Sequence, residues 1–260
     1  IEGSETDAGA YADKLVPGKA VIVDGNGVEV TANYDITYVP GTLTITKRGA
    51  GEEKVKITAA DNTVEYDGQP HGAKLNAAGE IEAGVSYTIT NLANGHKVQS
   101  VVISGSETAV GEYENRLVPS GAKIVDAAGN DVTSHYEIKY VPGNLKITQS
   151  TKELKVTANN GEWGYDGKQH SDGGYTVTYG NESYTVKAGE SATLSTGDKV
   201  TAVVKGQVKD VDDTKAGNNE IVEWSVEHRD FYNNVTPANG TLTITPRKVT
   251  LKSDGGSKKY

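Results

Sequence analysis

The sequence predicts an all-β protein, composed of tandem immunoglobulin-like β-sandwich domains in an elongated array. Apolar and polar residues alternate along short segments, and turn sequences rich in Gly, Asn and Asp recur at intervals of roughly 8–12 residues. Whole segments also return along the chain, which is typical of a repeat architecture. The alternative is a β-grasp-like unit with one short helix, because "NDVTSHYE" (130–137) is compatible with a single helical turn before its strand.

Internal repetition defines the organisation of the chain. Residues 1–46 align without a gap with residues 103–148, and 26 of these 46 positions are identical. The closing segments are "GTLTIT" (41–46), "GNLKIT" (143–148) and "GTLTIT" (240–245). The opening segments are "VKITAADNTVEY" (55–66), "LKVTANNGEWGY" (154–165) and "VTLKSDGGSKKY" (249–260).

Four segments follow from this alignment. Residues 1–46 are predicted to be the C-terminal half of a truncated repeat, and residues 54–148 a full repeat. Residues 153–245 are predicted to be a full but divergent repeat, and residues 249–260 the first strand of a following one. We therefore expect a slice of a longer array. Since residues 1–46 lack their opening half, we expect them to expose half a core and an unpaired sheet edge.

The strands are predicted from period-two alternation. Ile138 and Tyr140 point to one face and Lys139 to the other, and Leu145 and Ile147 repeat the pattern after a Pro-Gly pair. "AVIVDGNGVEVT" (20–31) places Val residues on both sides of an Asp-Gly-Asn-Gly turn, which is typical of a β-hairpin.

Composition excludes several function classes. The 260 residues include no Cys and no Met, so disulfides, thiolate metal sites and cysteine nucleophiles are ruled out. The formal net charge is −9 and no run of basic residues exceeds two, which argues against a nucleic-acid partner. No apolar stretch is long enough to predict membrane insertion.

Several motifs in a fixed order carry a family resemblance. They are "YDGQPH" (66–71), "YDGKQH" (165–170), "VGEY" (110–113), "ANYDITYVPGTLTIT" (32–46) and "SHYEIKYVPGNLKIT" (134–148). Together they resemble the YDG/MBG-type tandem repeat domains of bacterial, Gram-positive-like surface adhesins. The resemblance implies a secreted or cell-wall protein, an extracellular location at the bacterial cell surface, and no assigned catalytic residue.

The repeat 153–245 departs from that pattern. "AGNN" (216–219) replaces "VGEY", and "VTPANGTL" (235–242) replaces the "YVPGNL" type of closing segment. This divergence affects any shared ligand site more than it affects the shared fold.

The recurring Asp and His of the hexapeptides have two interpretations. Asp67 with His71, and Asp166 with His170, could serve as acid and base or as metal ligands. No Ser or Cys nucleophile recurs beside both pairs, whereas Asp-Gly after a strand is ordinary turn chemistry. We therefore predict turns, no catalytic residue and no enzyme, with the hydroxyl of Tyr66 bonded to backbone.

Acidic loops suggest calcium as a second possibility. They are "DGNGVE" (24–29), "DAAGND" (126–131) and "DVDD" (210–213). None matches the ligand spacing of a calcium loop, and two of them lie where hairpins need turns. We predict solvated turns, no cofactor and no metal ligands, with an interdomain calcium ion as the alternative.

A ligand surface of aromatic side chains is the remaining site hypothesis. Trp163, Tyr175, Tyr179 and Trp224 all lie in the repeat 153–245, which contains both Trp residues of the chain. An exposed cluster of these rings would suit a host glycan or a host surface protein. The alternative is that these rings belong to the core.

Intramolecular Lys-to-Asn cross-links stiffen some surface domains, and they require a Lys directed into the core. Lys56 and Lys155 recur on the opening strands, but alternation turns Lys56 outward between Val55 and Ile57. We therefore do not expect such a cross-link.

The functional prediction is a non-catalytic repeat segment of a bacterial cell-surface or secreted adhesin, acting as stalk or spacer and as an adhesive surface. One alternative is a carbohydrate- or host-protein-binding module centred on residues 153–245. Another is an accessory region of a large extracellular enzyme.

Overall fold

A computed structural model describes residues 1–50, 53–72 and 86–260 of the chain. These residues form strands and four three-residue 3₁₀ turns, and no α-helix occurs among them. The prediction of an all-β fold is therefore confirmed. The predicted helical turn before the strand at residue 138 is present as a 3₁₀ turn, Thr133–His135.

The chain forms two compact units, and each is discontinuous in sequence. The first comprises Ile1–Asn62, Gly72–Ser106 and Tyr113–Leu145. The second comprises Thr63–His71, Glu107–Glu112 and Lys146–Tyr260.

Most strands are short, although the strand Gly111–Val125 has 15 residues, and residues 249–260, predicted to be the first strand of a following repeat, form no strand. The strands before residue 149 are β1 (Gly9–Leu15), β2 (Gly41–Ile45), β3 (Val55–Ala59), β4 (Asn62–Glu65), β5 (His71–Gly72), β6 (Tyr87–Thr90), β7 (Lys97–Ser104), β8 (Ser106–Glu107), β9 (Gly111–Val125), β10 (Ile138–Val141) and β11 (Gly143–Thr148). Those after it are β12 (Leu154–Ala158), β13 (Gly161–Gly164), β14 (Tyr175–Tyr179), β15 (Glu182–Val186), β16 (Ser191–Thr193), β17 (Lys199–Lys205), β18 (Glu220–Val226), β19 (Val235–Ala238) and β20 (Leu242–Thr245).

The main sheet of the second unit has the order β15-β14-β12-β19. Strand β12 pairs antiparallel with β14, placing Leu154 opposite Tyr179, and parallel with β19, placing Leu154 opposite Val235. Leu154 and Val156 are fully buried while Lys155 between them is exposed. The predicted alternation therefore sets which side chains form the core.

Two smaller sheets also lie in the second unit. Strand β13 pairs in parallel with β20, and β16, β17 and β18 form an antiparallel sheet. Leu242 and Ile244 of β20 pack with Val208, and the half-buried ring of Trp163 covers them.

The first unit repeats the arrangement around its own opening strand. Strand β3 pairs in parallel with β10 and antiparallel with β6. Val55 and Ile57 are fully buried and Lys56 is exposed, so the outward direction predicted for Lys56 is confirmed. In each full repeat the opening strand thus pairs in parallel with a strand near the end of the repeat. Alternation does not predict this pairing, because it shows which side chains share a face of the sheet but not which strands are adjacent.

The predicted Asp-Gly-Asn-Gly hairpin is present. The backbone N–H of Asp24 donates to the carbonyl of Val28, and Val23 pairs with Glu29. The Asp24 carboxylate accepts bonds from the N–H groups of Asn26 and Val28, both at 2.9 Å. The acidic residue of this loop therefore stabilises its own turn.

Residues 1–46 expose the apolar face that the full repeats bury. Strands β1 and β2 pair with each other, and neither contains a buried residue. Tyr34 is 57 % exposed, whereas Tyr136 at the equivalent position is 5 % exposed. Strands β1 and β2 thus lack the fully buried side chains that Leu145 and Ile147 provide in the repeat 54–148.

Shortening a core-facing side chain of β12 should destabilise the second unit far more than shortening an outward-facing side chain of the same strand. Leu154→Ala is expected to lower the free energy of unfolding by about 2–5 kcal/mol, because it leaves a cavity in a closed core. Lys155→Ala on the same strand is the control and should change it by less than about 0.5 kcal/mol. Urea titration followed by tryptophan emission measures both, since both Trp residues lie in this unit. Equal effects of the two substitutions would contradict the assigned faces of β12.

Candidate functional site

Both repeated hexapeptides form the same self-contained turn. The carboxylate of Asp67 accepts a bond from the N–H of Gln69 at 2.8 Å and lies 2.8 Å from Nε2 of His71. Asp166 does the same with the N–H of Lys168 at 2.8 Å and with Nε2 of His170 at 3.0 Å. The predicted turn chemistry is therefore present, and the Asp and His of each motif bond each other across one turn.

The electrostatics of the second motif agree with a turn. The N–H of Lys168, and after it the imidazole of His170, hold the pKa of Asp166 below its usual range, outweighing the effect of burial. Asp166 is thus held as a carboxylate at neutral pH. Its oxygens are bonded to its own loop.

The tyrosine of the first motif has a role that sequence reasoning did not predict. Tyr66 is 4 % exposed, and its hydroxyl donates to Oδ2 of Asp198 at 2.8 Å. The expectation of a bond to backbone is therefore wrong, because a buried carboxylate lies within reach of the ring. The ring also packs edge-on against Phe231 at 4.9 Å and against Tyr232 at 6.0 Å.

Asp198 is the centre of a buried polar cluster. It is 4 % exposed, and its Oδ2 accepts a second bond from the hydroxyl of Tyr232 at 2.5 Å. Its Oδ1 lies 2.8 Å from Nδ1 of His228. The Tyr232 hydroxyl also lies 2.7 Å from the hydroxyl of Thr196. We call Tyr66, Thr196, Asp198, His228 and Tyr232 the Asp198 cluster.

The pKa directions in this cluster follow from burial and hydrogen bonding. Burial acts to raise the pKa of Asp198, but the bonds from Tyr232, His228 and Tyr66 together hold it below the ordinary value. Burial, with the neighbouring Asp198 carboxylate as the second cause, raises the pKa of Tyr66 and of Tyr232 well above that of a free tyrosine. At neutral pH the cluster is therefore one carboxylate held by neutral hydroxyl donors.

The backbone positions the donors of this cluster. His228 has a φ of +50°, in the left-handed region that residues other than glycine seldom adopt, and the 3₁₀ turn Arg229–Phe231 follows it. This conformation places the imidazole parallel to the Phe231 ring, with centroids 5.0 Å apart. Tyr232 follows the turn and is held by the parallel bridge between its strand segment and Ser150.

A second buried network lies next to Tyr232. The hydroxyls of Ser150 and Tyr179 are 2.7 Å apart, and the Tyr179 ring meets the Tyr232 ring edge-on at 5.7 Å. The Ser150 hydroxyl also donates to Oε1 of Glu65 at 3.2 Å, and that carboxylate accepts the N–H of Thr151 at 2.7 Å. The residues between strands β11 and β12 are thus fixed by side chains from two repeats.

The four aromatic residues predicted as a ligand surface do not form one. Tyr175 and Tyr179 lie on β14 with 0 % and 1 % of their surfaces exposed, so their rings belong to the core. Trp163 lies on β13 and Trp224 on β18, in two other sheets. A platform that includes Tyr175 and Tyr179 is therefore excluded by burial.

Both tryptophans are half-buried. Trp163 covers the small core under β20, and its ring stacks on His170 with centroids 4.9 Å apart and planes at 17°. Trp224 lies opposite Ala202 and two residues before Val226 on β18, and both of these neighbours are buried. Alternation therefore places Trp224 at the rim of the core-facing side of its sheet.

A polar cleft of about 570 Å³ lies in the second unit. Ser171, Asp172, Lys205 and Gln207 contribute to its lining. The buried amide of Asn219 lies beside Gly206, which stands between Lys205 and Gln207. Its Nδ2 donates to the carbonyls of Asn159 and Asp172. Its Oδ1 has no hydrogen-bond partner among the residues that the structure describes.

The acidic loops use their oxygens within the loops. Asp126 accepts the N–H groups of Ala128 and Asn130 at 2.9 Å. In the third loop, Asp210 and Asp213 form a reciprocal capping box around the 3₁₀ turn Val211–Asp213. Among the residues that the structure describes, no three His, Asp or Glu side chains group as metal ligands would.

The first unit contains a counterpart of the Asp198 cluster, which the alignment of the repeats reveals. "GHKV" (95–98) aligns with "GDKV" (197–200), so His96 takes the position of Asp198. Tyr136 follows its 3₁₀ turn as Tyr232 does, and its hydroxyl lies 2.6 Å from Nδ1 of His96. A Tyr paired with a polar residue before a strand is thus a repeated feature that sequence comparison within the chain can find.

Comparisons of the whole chain with known protein families, with curated proteins and with solved structures find no match. In the part of the chain that the structure describes, no helix has the length and apolar character needed to cross a membrane.

Replacing the central carboxylate should weaken the second unit. Asp198→Asn keeps the shape but removes the charge that three donors face, and we expect a loss of about 1–3 kcal/mol in the free energy of unfolding. Asp212→Asn, on an exposed turn residue, is the control. Urea titration monitored by tryptophan emission compares them, and an unchanged midpoint for Asp198→Asn would contradict the assigned role of the carboxylate.

The same carboxylate predicts a pH dependence. The folded-state pKa of Asp198 is depressed, so its contribution to stability is complete above the unfolded value of about 3.9 and is lost as the pH falls through the folded value. Tyr66 and Tyr232 have raised values, so their contribution is complete below about pH 10 and is lost as the pH rises further. As the pH falls through the acidic range, the free energy of unfolding should decrease less in Asp198→Asn than in the unmodified chain. An equal decrease in both chains would contradict this prediction.

The two motif tyrosines should differ in importance. Tyr66→Phe removes a donor from a buried charge and should lower the free energy of unfolding by about 1.5–3 kcal/mol. Tyr165→Phe at the equivalent position should change it by less than about 0.5 kcal/mol, because Tyr165 is 40 % exposed. Tryptophan-monitored unfolding compares the pair, and similar losses would show that both rings serve only their own turns.

Proposed function

We propose that this chain is a non-catalytic repeat segment of a bacterial cell-surface or secreted adhesin, and that it acts as a stalk or spacer. The observation that carries this proposal is the bond from Tyr66 to Asp198. Tyr66 belongs to the repeat 54–148 and Asp198 to the repeat 153–245, so the most recognisable motif of the chain links consecutive repeats.

The use of the remaining motif residues supports the same proposal. The Asp and His of each hexapeptide bond each other, and each Asp also accepts a backbone N–H of its own turn, so these groups have a structural use in the turn. The acidic loops likewise bond their own backbones. The polar groups that repeat along the chain are those that shape and join the repeats.

A spacer holds other groups at a distance without binding the ligand itself. The test places the full chain between a cell anchor and a short epitope, and measures capture of the cells by antibody-coated beads too large to approach the membrane. Capture is expected with the chain and not with a 20-residue linker in its place. Capture without the epitope would show that the chain itself is adhesive, and equal capture with the short linker would contradict the spacer role.

The polar cleft favours a second candidate, a carbohydrate-binding module centred on residues 153–245. Ser171, Lys205 and Gln207 offer hydrogen-bonding groups to sugar hydroxyls, and His170, which precedes Ser171 in sequence, stacks on the Trp163 ring. Aromatic rings beside polar groups are common in sugar sites. A glycan array with the full chain tests this candidate, and Gln207→Ala should abolish any binding that the cleft causes.

If the spacer proposal holds, the array should show no binding above that of a Gln207→Ala control. Binding that Gln207→Ala removes would assign the cleft to a glycan. Binding that survives the substitution would place an adhesive surface elsewhere on the chain.

A further inference from the structure

Tyr165 occupies the same local structure as Tyr66. The N–H of Tyr66 donates to the carbonyl of Thr148, and the N–H of Tyr165 to the carbonyl of Thr245, both at 2.9 Å. In each case the hydroxyl of that Thr bonds the carbonyl two residues before the Tyr. The two tyrosines therefore start from matched backbone positions.

The surroundings of the two rings differ. Tyr66 is 4 % exposed beneath Phe231, Tyr232 and the Asp198 carboxylate, all from the repeat 153–245. Tyr165 is 40 % exposed. The same motif is thus covered in one repeat and open in the other.

The glycines of the two motifs also differ in how closely other residues cover them. Gly68 and Gly167 have φ values of +81° and +77°, so both turns require a left-handed residue. A Cβ on Gly68 would lie 2.0 Å from the carbonyl oxygen of Thr196, whereas a Cβ on Gly167 would meet nothing within 4 Å. Gly68 therefore marks a close backbone approach that Gly167 is equally shaped to receive.

An apolar cleft of about 430 Å³ lies beside Tyr165. Val211, Pro246 and Val249 line it, and the two valines are 39 % and 77 % exposed. We call Tyr165, Gly167, Val211, Pro246 and Val249 the Tyr165 surface. Exposed apolar groups around a half-exposed ring are typical of a surface that binds another protein.

We propose that the Tyr165 surface docks a further repeat of this same kind, following in the same chain. The repeat 153–245 covers Tyr66 with Asp198, which precedes a strand, and with Tyr232, which follows a 3₁₀ turn. The repeat 54–148 has His96 and Tyr136 at the same two places. The docked repeat would bring an acceptor at the Asp198 position to the Tyr165 hydroxyl. Its backbone at the Thr196 position would pass over Gly167.

Residues 249–260 favour an occupant in the same chain over a second molecule. They repeat the pattern of the opening strands, with Val249 and Leu251 at the positions of Leu154 and Val156. In the structure they are exposed and form no strand. A repeat that begins with this segment is separated from Thr245 by Pro246, Arg247 and Lys248 only, which is a connection short enough to hold it beside the Tyr165 surface.

The test extends the full chain after Tyr260 with a copy of residues 166–245, so that residues 249–260 open a complete repeat. Nitration by tetranitromethane, mapped by mass spectrometry, then reports the access of each tyrosine. Tyr165 should react in the original chain and become protected in the extended chain. Tyr66 is the internal control, and it should be protected in both.

Two substitutions sharpen the result. Gly167→Asn suits the left-handed turn but adds a Cβ, so it should leave the original chain unchanged and restore nitration of Tyr165 in the extended chain. Tyr165→Phe should lower the melting temperature of the extended chain by about 4–8 °C, and that of the original chain by less than about 1 °C. The proposal would be overturned if Tyr165 reacted equally in both chains while tryptophan emission showed that the added repeat is folded.

Failure of the added repeat to fold is addressed by a second extension, in which a copy of residues 154–245 replaces residues 249–260. An added repeat that stays unfolded in both extensions counts against the proposal. Protection of Tyr165 in the original chain at high concentration, with dimers in sedimentation, would assign the surface to a second molecule and overturn it. The proposal rests on the proposed function only in taking the chain as an array of tandem repeats. The bead assay tests the spacer role and the glycan array tests adhesion, so either can fail without affecting the nitration result.

Discussion

The buried carboxylate of Asp198 is the constraint on which the second unit depends. An ionised group removed from water is tolerated only when donors replace its hydration. Two tyrosine hydroxyls and an imidazole do so at 2.5–2.8 Å. One of these donors, Tyr66, precedes Asp198 by 132 residues. The repeat 153–245 is therefore fully satisfied only when the strand of another repeat is in place.

The two full repeats solve the same packing problem with different chemistry. His96 and Tyr136 form a hydrogen-bonded pair at the position where Asp198 and Tyr232 pair in the other repeat. A Tyr that follows a 3₁₀ turn and reaches a polar residue before a strand is common to both. The backbone setting of the pair is therefore shared by the two repeats, whereas the polar partner of the Tyr differs.

The conspicuous motif of the chain uses its polar groups within its own turn. Within each hexapeptide, Asp and His stabilise the turn and Gly provides the left-handed backbone, and the Tyr66 ring of the first motif packs on residues of the repeat 153–245. The aromatic residues of β14 are equally occupied, since Tyr175 and Tyr179 fill the core. The groups that a search for active sites would select first are used to connect and pack strands, which agrees with the spacer function proposed above.

The all-β class, the repeats, the faces of the strands and the turns follow from the order of the residues alone. These depend on local alternation and on side chains that bond backbone within four residues, so Lys56, Lys155, Asp24 and Asp67 were all predictable. The parallel pairing of β12 with β19, the burial of Tyr175 and Tyr179, and the partner of Tyr66 depend on how the strands pack in three dimensions. Each of these joins residues far apart in the chain, and the charge of Asp198 gives no local indication that it is buried. Whether a polar side chain faces water or a distant hydroxyl is decided by the packing of whole strands, and no short stretch of sequence contains that information.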